Sequence, residues 1–330
     1  MNNSFKKNLI AASVGAVLAA GSFAANAGTP GTNNLLFPYV TTATGSYTFI
    51  SIAAQNGIAG PTPVHFTYAT KATSASNTAV CTHLNGDAMM TDNDLMQFEI
   101  QNKVNMATTF GDTTSVPKYF PNNAAAANQH GMLIVNNDPA GIYGSGAVYA
   151  NANLYGEARI INTATGLAAG YSTDDLHTPA TGINPQFLAG PDAGLPTKVI
   201  SWFPDPTVST SWFVLPLGTE QDMAFTGNVW AQYRVTDNTA AIGGHYNNNE
   251  GFQSSTATAT VACLGTFDRA TLLGALNAPW SANGGWGNFS MTAAVAPAGY
   301  VATTNALLYK MESTSALGGV TSFITREPTM

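Results

Sequence analysis

Tyr47-Thr48-Phe49-Ile50-Ser51-Ile52 alternates residue by residue, placing Tyr47, Phe49 and Ser51 on one side and Thr48, Ile50 and Ile52 on the other. A period of two is the mark of a β-strand, whose successive side chains leave on opposite faces. Runs of this kind recur at 64–68, 95–100, 131–135, 147–155, 158–162, 199–203 and 211–217. They continue at 229–235, 256–264, 286–292, 307–311 and 319–325. Clusters of Gly, Asn, Asp and Pro, such as Asn136-Asn137-Asp138-Pro139, separate them as turns do. The pattern predicts an all-β fold, a large antiparallel β-sandwich that is either elaborated or made of two packed β units. A dozen strands are too many for one seven-stranded sandwich. A subdivision would fall near the Pro/Gly loop 191–196.

Helix signals are confined to 124–129 and to 268–276, where Asp268 can cap one or two turns. One internal echo is visible. Phe37-Pro38 leads to the bulky run Tyr47 to Ile50, and Phe203-Pro204 leads to Trp212-Phe213-Val214-Leu215. A single match is a weak sign of a duplicated half.

The first 27 residues read as an export signal. Lys6 and Lys7 precede an uncharged apolar run at 9–21, and Ala25-Asn26-Ala27 supplies the small-x-small cleavage pattern, with the mature domain expected at 28–330. The run is too short to anchor in a bilayer, and no later stretch offers the roughly 20 apolar residues of a spanning helix. Without Lys6 and Lys7, nine basic residues face 18 acidic ones, a balance that disfavours nucleic-acid partners. Only 9% of residues are charged, against roughly 25% in ordinary domains, so the expected surface is polar but mostly uncharged. Hydrophobic residues make up 45% of the chain, which separates it from a disordered sequence. An outer-membrane barrel fits less well, because most runs are shorter than the roughly 9–11 residues such strands need.

The chain holds two cysteines, Cys81 and Cys263, and in an oxidising compartment these predict one disulfide. Closing so long a loop stabilises by roughly 5 kcal/mol in the chain-entropy model. The alternative is a pair of buried free thiols.

No nucleophile elbow, dinucleotide fingerprint or phosphate loop occurs, and His65, His83, His130, His177 and His245 lack metal-ligand spacing. No catalytic residue is expected. His83 lies two residues after Cys81, a pairing that could activate a thiol, although the disulfide is the better use of that cysteine. Asp92 and Asp94 offer hard oxygens to calcium, but EF-hand spacing is missing and a capping loop explains them equally well. Asp174-Asp175 and 247–250 read as solvated turns. Of the five tryptophans, Trp202, Trp212 and Trp230 lie in bulky strand-like runs, and Trp212 and Trp230 are expected in the core. Trp280 and Trp286 flank Asn283-Gly284-Gly285 and are expected at the surface, where aromatic faces can stack on sugars.

The segments NNLLFPYVTTATGSYTFISI, VISWFPDPTVSTSWFVLPLG and GGWGNFSM resemble scattered patches in a loosely defined group of uncharacterised exported proteobacterial proteins. The resemblance implies an exported cell-surface β protein and transfers no functional residue. Together these readings predict a structural or interaction protein of the cell surface or extracellular matrix, with a periplasmic location the alternative. It would self-associate into fibres or lattices through sheet edges or through segment 28–40. Leu35, Leu36 and Phe37 would be the apolar residues of an exchanged strand; the plainer reading makes them the first strand of their own sheet. A glycan-binding module or adhesin is the alternative, and an exported hydrolase built from dispersed carboxylates a more distant one.

Overall fold

The computed structural model describes residues 34–55, 62–91, 93–104, 127–136, 153–163, 167–175, 197–204, 208–217, 229–236, 242–273, 283–292, 296–302, 305–314 and 321–326. The first half contains β1 (Asn34–Thr41), β2 (Ser46–Gln55), β3 (Thr62–Ala72), β4 (Thr82–Met90), β5 (Leu95–Glu99), β6 (Gln129–Asn136), β7 (Asn153–Asn162), β8 (Leu167–Ser172) and β9 (Asp174–Asp175). The second contains β10 (Thr197–Trp202), β11 (Ser209–Leu217), β12 (Val229–Thr236), β13 (Gly244–Asn247), β14 (Phe252–Ser254), β15 (Ala259–Ala262) and β16 (Gly265–Asp268). After the short helix α1 (Arg269–Leu273) come β17 (Gly285–Thr292), β18 (Val301–Ala302), β19 (Asn305–Thr314) and β20 (Thr321–Arg326). The fold is all-β. Asp268 Oδ1 accepts the Thr271 N–H at 2.7 Å and so caps α1. Residues 1–27, expected as an export signal, the Pro/Gly-rich stretch 191–196, and residues 124–126 and 274–276 lie outside the described residues.

Four open sheets form, none closing into a barrel. A first outer sheet runs β5-β2-β7-β8 and a first inner sheet β4-β3-β6-β1-β9. A second inner sheet runs β16-β11-β19-β20, and a second outer sheet β14-β13-β17-β12-β15, with β10 beside β17 and β18 beside β12. Among the described strands all pairings are antiparallel except β12 with β18.

Three apolar interiors stack these sheets into layers. Leu35, Phe37, Phe66, Ile50, Phe98 and Leu133 fill the space between the first outer and first inner sheets. Trp212, Val214, Tyr233, Phe267 and Phe289 do the same for the second pair. Between the two inner sheets lies a third interior, built from Leu36, Met132 and Ile134 on one side and Phe213, Leu215, Leu307 and Tyr309 on the other. Successive residues of an inner strand therefore enter different cores. The sequences Leu35-Leu36-Phe37, Met132-Leu133-Ile134-Val135 and Trp212-Phe213-Val214-Leu215 are continuous apolar runs because both faces are buried. Outer strands alternate instead: Ile50, Ile52 and Ala54 are buried, while Tyr47, Phe49 and Ser51 are only partly covered.

The two halves share one topology. Leaving aside the short strands β9, β13, β14 and β18, each half has eight strands. The order β4-β3-β6-β1 reappears as β15-β12-β17-β10, and β5-β2-β7-β8 reappears as β16-β11-β19-β20. Strand ranks correspond one to one. The Phe-Pro echo falls at matching places: Phe37-Pro38 lies in β1 ahead of β2, and Phe203-Pro204 lies between β10 and β11. In both, the chain passes from one sheet of a pair to the other. The repeats stack head to tail, since the first offers the sheet holding its first strand to the middle and the second offers the sheet holding its second strand.

A polar and covalent stitch crosses the middle interior. Cys81 and Cys263 are joined across 182 residues, their Cα atoms 6.0 Å apart. Beside them the buried Lys71 ammonium donates to the carbonyls of Ser76 (3.1 Å), Asn77 (3.1 Å), Ala79 (3.2 Å) and Ala262 (3.4 Å). Asn77 accepts the Ala262 N–H through its own carbonyl, and its side chain both accepts from and donates to the backbone of Thr266. Cys263 itself has a left-handed φ of 63°, closed by the Leu264 N–H bonding back to the Ala262 carbonyl. This is the tight γ-turn that ordinary residues adopt only when held.

Some sequence expectations need correction. The run 256–264 is strand only over β15, and residues 256–258 ahead of it belong to no strand. Asp174-Asp175 forms a strand rather than a turn, pairing with Leu36 and Leu35. Residues 155 and 158 lie in one continuous strand, β7.

Replacing Cys81 and Cys263 together by alanine should cost up to about 5 kcal/mol in urea unfolding while the β-sheet circular dichroism persists, because the Lys71 and Asn77 bonds remain. Collapse of the β signal would show that the polar stitch cannot hold the halves. Lys71 gives a second test. Burial pulls its pKa down to about 8, so between pH 8 and the unfolded value of 10.5 the unfolded chain binds more protons. Stability contributed at this position should therefore rise with pH across that window, by about 3 kcal/mol in full. The urea midpoint of the parent relative to Lys71→Met should climb from pH 8 to pH 10.5, and a flat difference would contradict the burial of the ammonium.

Candidate interaction surfaces

The titratable groups serve the fold first. His130, opposite Lys71 in the β3–β6 register, is pushed down to about 4 by burial and then by the Lys71 charge. Burial also lowers His83 and His245, so these imidazoles are held neutral. The sulfur of Cys81 is in the disulfide, which leaves His83 without a thiol partner there. Buried Glu99 is raised by desolvation; its Oε2 accepts the backbone N–H groups of Gln101 (3.1 Å) and Lys103 (2.7 Å), closing the turn after β5. Sequence reasoning singled out neither Lys71 nor Glu99. His177 lies outside the described residues.

Asp94 shapes the turn ahead of β5. Its Oδ1 accepts the Leu95 N–H at 2.8 Å and its Oδ2 the Thr91 N–H at 3.3 Å. Asp92 lies outside the described residues, among which no group of three or more His, Cys, Asp or Glu gathers. Leu35, Leu36 and Phe37 are buried in β1, which is paired on both edges, with β6 and β9. In this structure β1 is a strand of its own sheet, and residues 28–33 fall outside the description.

Two outward faces carry large apolar side chains. On the first outer sheet, Leu95 (48% exposed) and Tyr155 (40%) flank Ala53 in one cross-strand row. Next to it Glu157 and Arg159 pair at 2.8 Å, and Lys103 lies 5.5 Å over the ring of Tyr47. The neighbouring edge strand β4 exposes Met89. No described strand pairs with its outer edge.

The second face is aromatic. Register places Ser201, Trp286, Tyr246 and Phe252 in one row across β10, β17, β13 and β14. The Trp286 and Tyr246 rings stack at 4.7 Å with planes 15° apart, and Tyr246 meets Phe252 at 5.1 Å. Trp286 is 36% exposed, as expected for it, while Trp280 lies outside the described residues. Trp212 is buried as expected and Trp202 packs edge-on against it, but Trp230 is only partly buried, 5.2 Å from Tyr300. Backbone packing holds the row in place. A Cβ on Gly285 would come within 2.3 Å of the Tyr246 carbonyl and 2.7 Å of the Trp202 ring. Gly284 has a φ of 77° and lies under the side chain of Asn248, whose Nδ2 donates to the Asn283 carbonyl.

Gly285→Ala should therefore destabilise by about 2–3 kcal/mol, as overpacking against backbone does, and redshift tryptophan emission as the strand shifts. Unchanged stability and emission would contradict the tight fit.

Among the described residues no helix is long and apolar enough to cross a membrane. No known family model matches the chain, and no curated protein matches it significantly.

Proposed function

We propose that the protein is an exported structural or interaction protein of the cell surface or extracellular matrix that acts by associating with copies of itself. The export signal, the weakly charged surface and a disulfide suited to an oxidising compartment support this reading. The observation that carries it is the open end of the repeat stack. In the second repeat the outer face of the β11–β19 sheet is sealed by the first repeat through Phe213, Leu215, Leu307 and Tyr309. Its counterpart in the first repeat, the face carrying Ala53, Leu95 and Tyr155, leaves Leu95 and Tyr155 exposed among the described residues. A second copy can occupy it as the first repeat occupies its equivalent, and such a heterologous contact leaves a further end open. The Glu157–Arg159 pair stands where the buried face is apolar, so the contact is weaker than the internal one. Edge strand β4, with Asp87 its one acid and no lysine or arginine, offers the alternative route of edge pairing. The reading assigns no catalytic residue.

The aromatic row favours a second reading, a glycan-binding module or adhesin.

Sedimentation of chain 28–330 over a wide concentration range, with and without calcium, tests self-association. Concentration-dependent oligomers are expected, weakened at least tenfold by Tyr155→Lys with thermal stability unchanged. Met89→Lys should have little effect, and a dominant effect of it would move the contact to the β4 edge. A chain that stays monomeric throughout contradicts the proposal.

A further inference from the structure

We propose that the open face of Trp286 binds a neutral hexose glycan, with Ser201 as the floor of the site and uncharged amides at its rim. This rests on the glycan-binding reading and names the ligand class.

The row is asymmetric, and that decides where a ligand fits. One face of the Trp286 indole is covered by Tyr246, which is in turn flanked by Phe252. On the other side the directly opposed residue is Ser201, small and exposed. The second indole face thus looks over a serine instead of another ring. Phe203, two residues further along that chain and just past the end of β10, is exposed as well. Adjacent strands lie roughly 4.8 Å apart, so the gap above Ser201 matches the thickness of one ring stacked on the indole.

A pyranose is built for such a space. It presents one face of C–H groups to an aromatic ring and directs its hydroxyls sideways, where they need donors and acceptors that are not already committed. Here Ser201 Oγ accepts from Lys310 Nζ at 3.2 Å and keeps its own proton to donate. The exposed side-chain amides of Asn249, in the turn beyond β13, and of Asn283, just ahead of β17 and tied to that turn by Asn248, make no hydrogen bond among the described residues. The turn carrying Asn249 is pre-formed, because Asn247 Oδ1 accepts the N–H groups of Asn249 (3.0 Å) and Gly251 (2.8 Å). A ligand therefore meets a surface whose ordering cost is already met.

Charge sets the class. The cation nearest the floor, Lys310, is bonded to Ser201 and paired with Glu312 at 3.4 Å. The exposed Glu250 beside the amides would repel an acid. Uronates, sulfated sugars and phosphates are disfavoured, and a hexose with only hydroxyls suits the amide rim. One stacked ring gives weak binding, of order millimolar. In an assembly of many copies, linked sites would raise the effective affinity by about 10²–10⁴.

The test is a tryptophan-fluorescence titration of the full mature chain with β-1,4- and β-1,3-linked glucose hexaoses, with a polyuronate oligomer for comparison. Saturable binding of a neutral hexaose is expected, at least tenfold weaker in Trp286→Ala, partly restored in Trp286→Tyr, and absent for the polyuronate. Because Trp286 is a reporter as well as a contact, ligand-observed NMR saturation transfer repeats the comparison, and circular dichroism establishes that each variant is folded. Absence of binding to any of these glycans overturns both the proposal and the glycan-binding reading. Tighter binding of the polyuronate, lost in Trp286→Ala, overturns the neutral class alone. Neutral-glycan binding unaffected by Trp286→Ala overturns the site. Loss of self-association in Trp286→Ala without glycan binding assigns the row to a second copy instead.

Discussion

The interior shared by the two inner sheets is the constraint on which the rest of this molecule depends. Each inner sheet has two apolar faces, so neither repeat can satisfy both of its sheets alone. Leu36, Met132 and Ile134 have no cover within the first repeat, and Phe213, Leu215 and Tyr309 have none within the second. Burying one such side chain stabilises by about 1.5–3 kcal/mol, so the middle layer outweighs any single hydrogen bond in the fold. Lys71 brings a positive charge into that layer, and the ring of four carbonyls replaces the water it loses.

Head-to-tail stacking then explains why the outer faces differ. Each repeat is a two-sheet unit, and the face sealed at the join is left open at one end of the stack. At that end the difference is visible in individual pairs. The buried register pair Phe213 and Tyr309 has as its counterpart around Phe49 and Arg159 a mixed pair, with Glu157 neutralising the arginine. At the opposite end the second outer sheet is widened by β13 and β14, strands without counterparts in the first repeat. These added strands supply Tyr246 and Phe252, so the aromatic row is an addition to the repeat rather than a part of it.

Much of the fold was legible in the sequence. Alternation at Tyr47 to Ile52 separated the two faces of a strand, of which the Thr48, Ile50 and Ile52 side is the buried one, and Asp268 announced its helix cap. The disulfide follows from the cysteine count and the expectation of an oxidising compartment. Layer order was harder to see, although it is written in the chain: runs such as Met132 to Val135 lack alternation because they have no outer face. Strand β4 is not among the alternating runs, since an edge strand needs few apolar residues. Strand β1 admitted two readings, an exchanged strand or the first strand of its own sheet, and its unbroken Leu35-Leu36-Phe37 run is the signature of the second, here as a central strand. For the site, only Trp286 was legible, through its Gly-rich flank. Tyr246, Phe252 and Ser201 come from three other strands, and no local pattern joins residues that only register brings side by side. Lys71 carried a faint signal, its parity with inward-facing Ala69, which composition alone hides.

Native-state hydrogen exchange on the full chain tests the shared interior most directly. Backbone amides of β1, β6, β11 and β19 should be the slowest to exchange and should open together with one free energy, equal to that of global unfolding. Two separate groups, with β1 and β6 opening at one free energy and β11 and β19 at another, would show that the halves are independent sandwiches and would contradict the account.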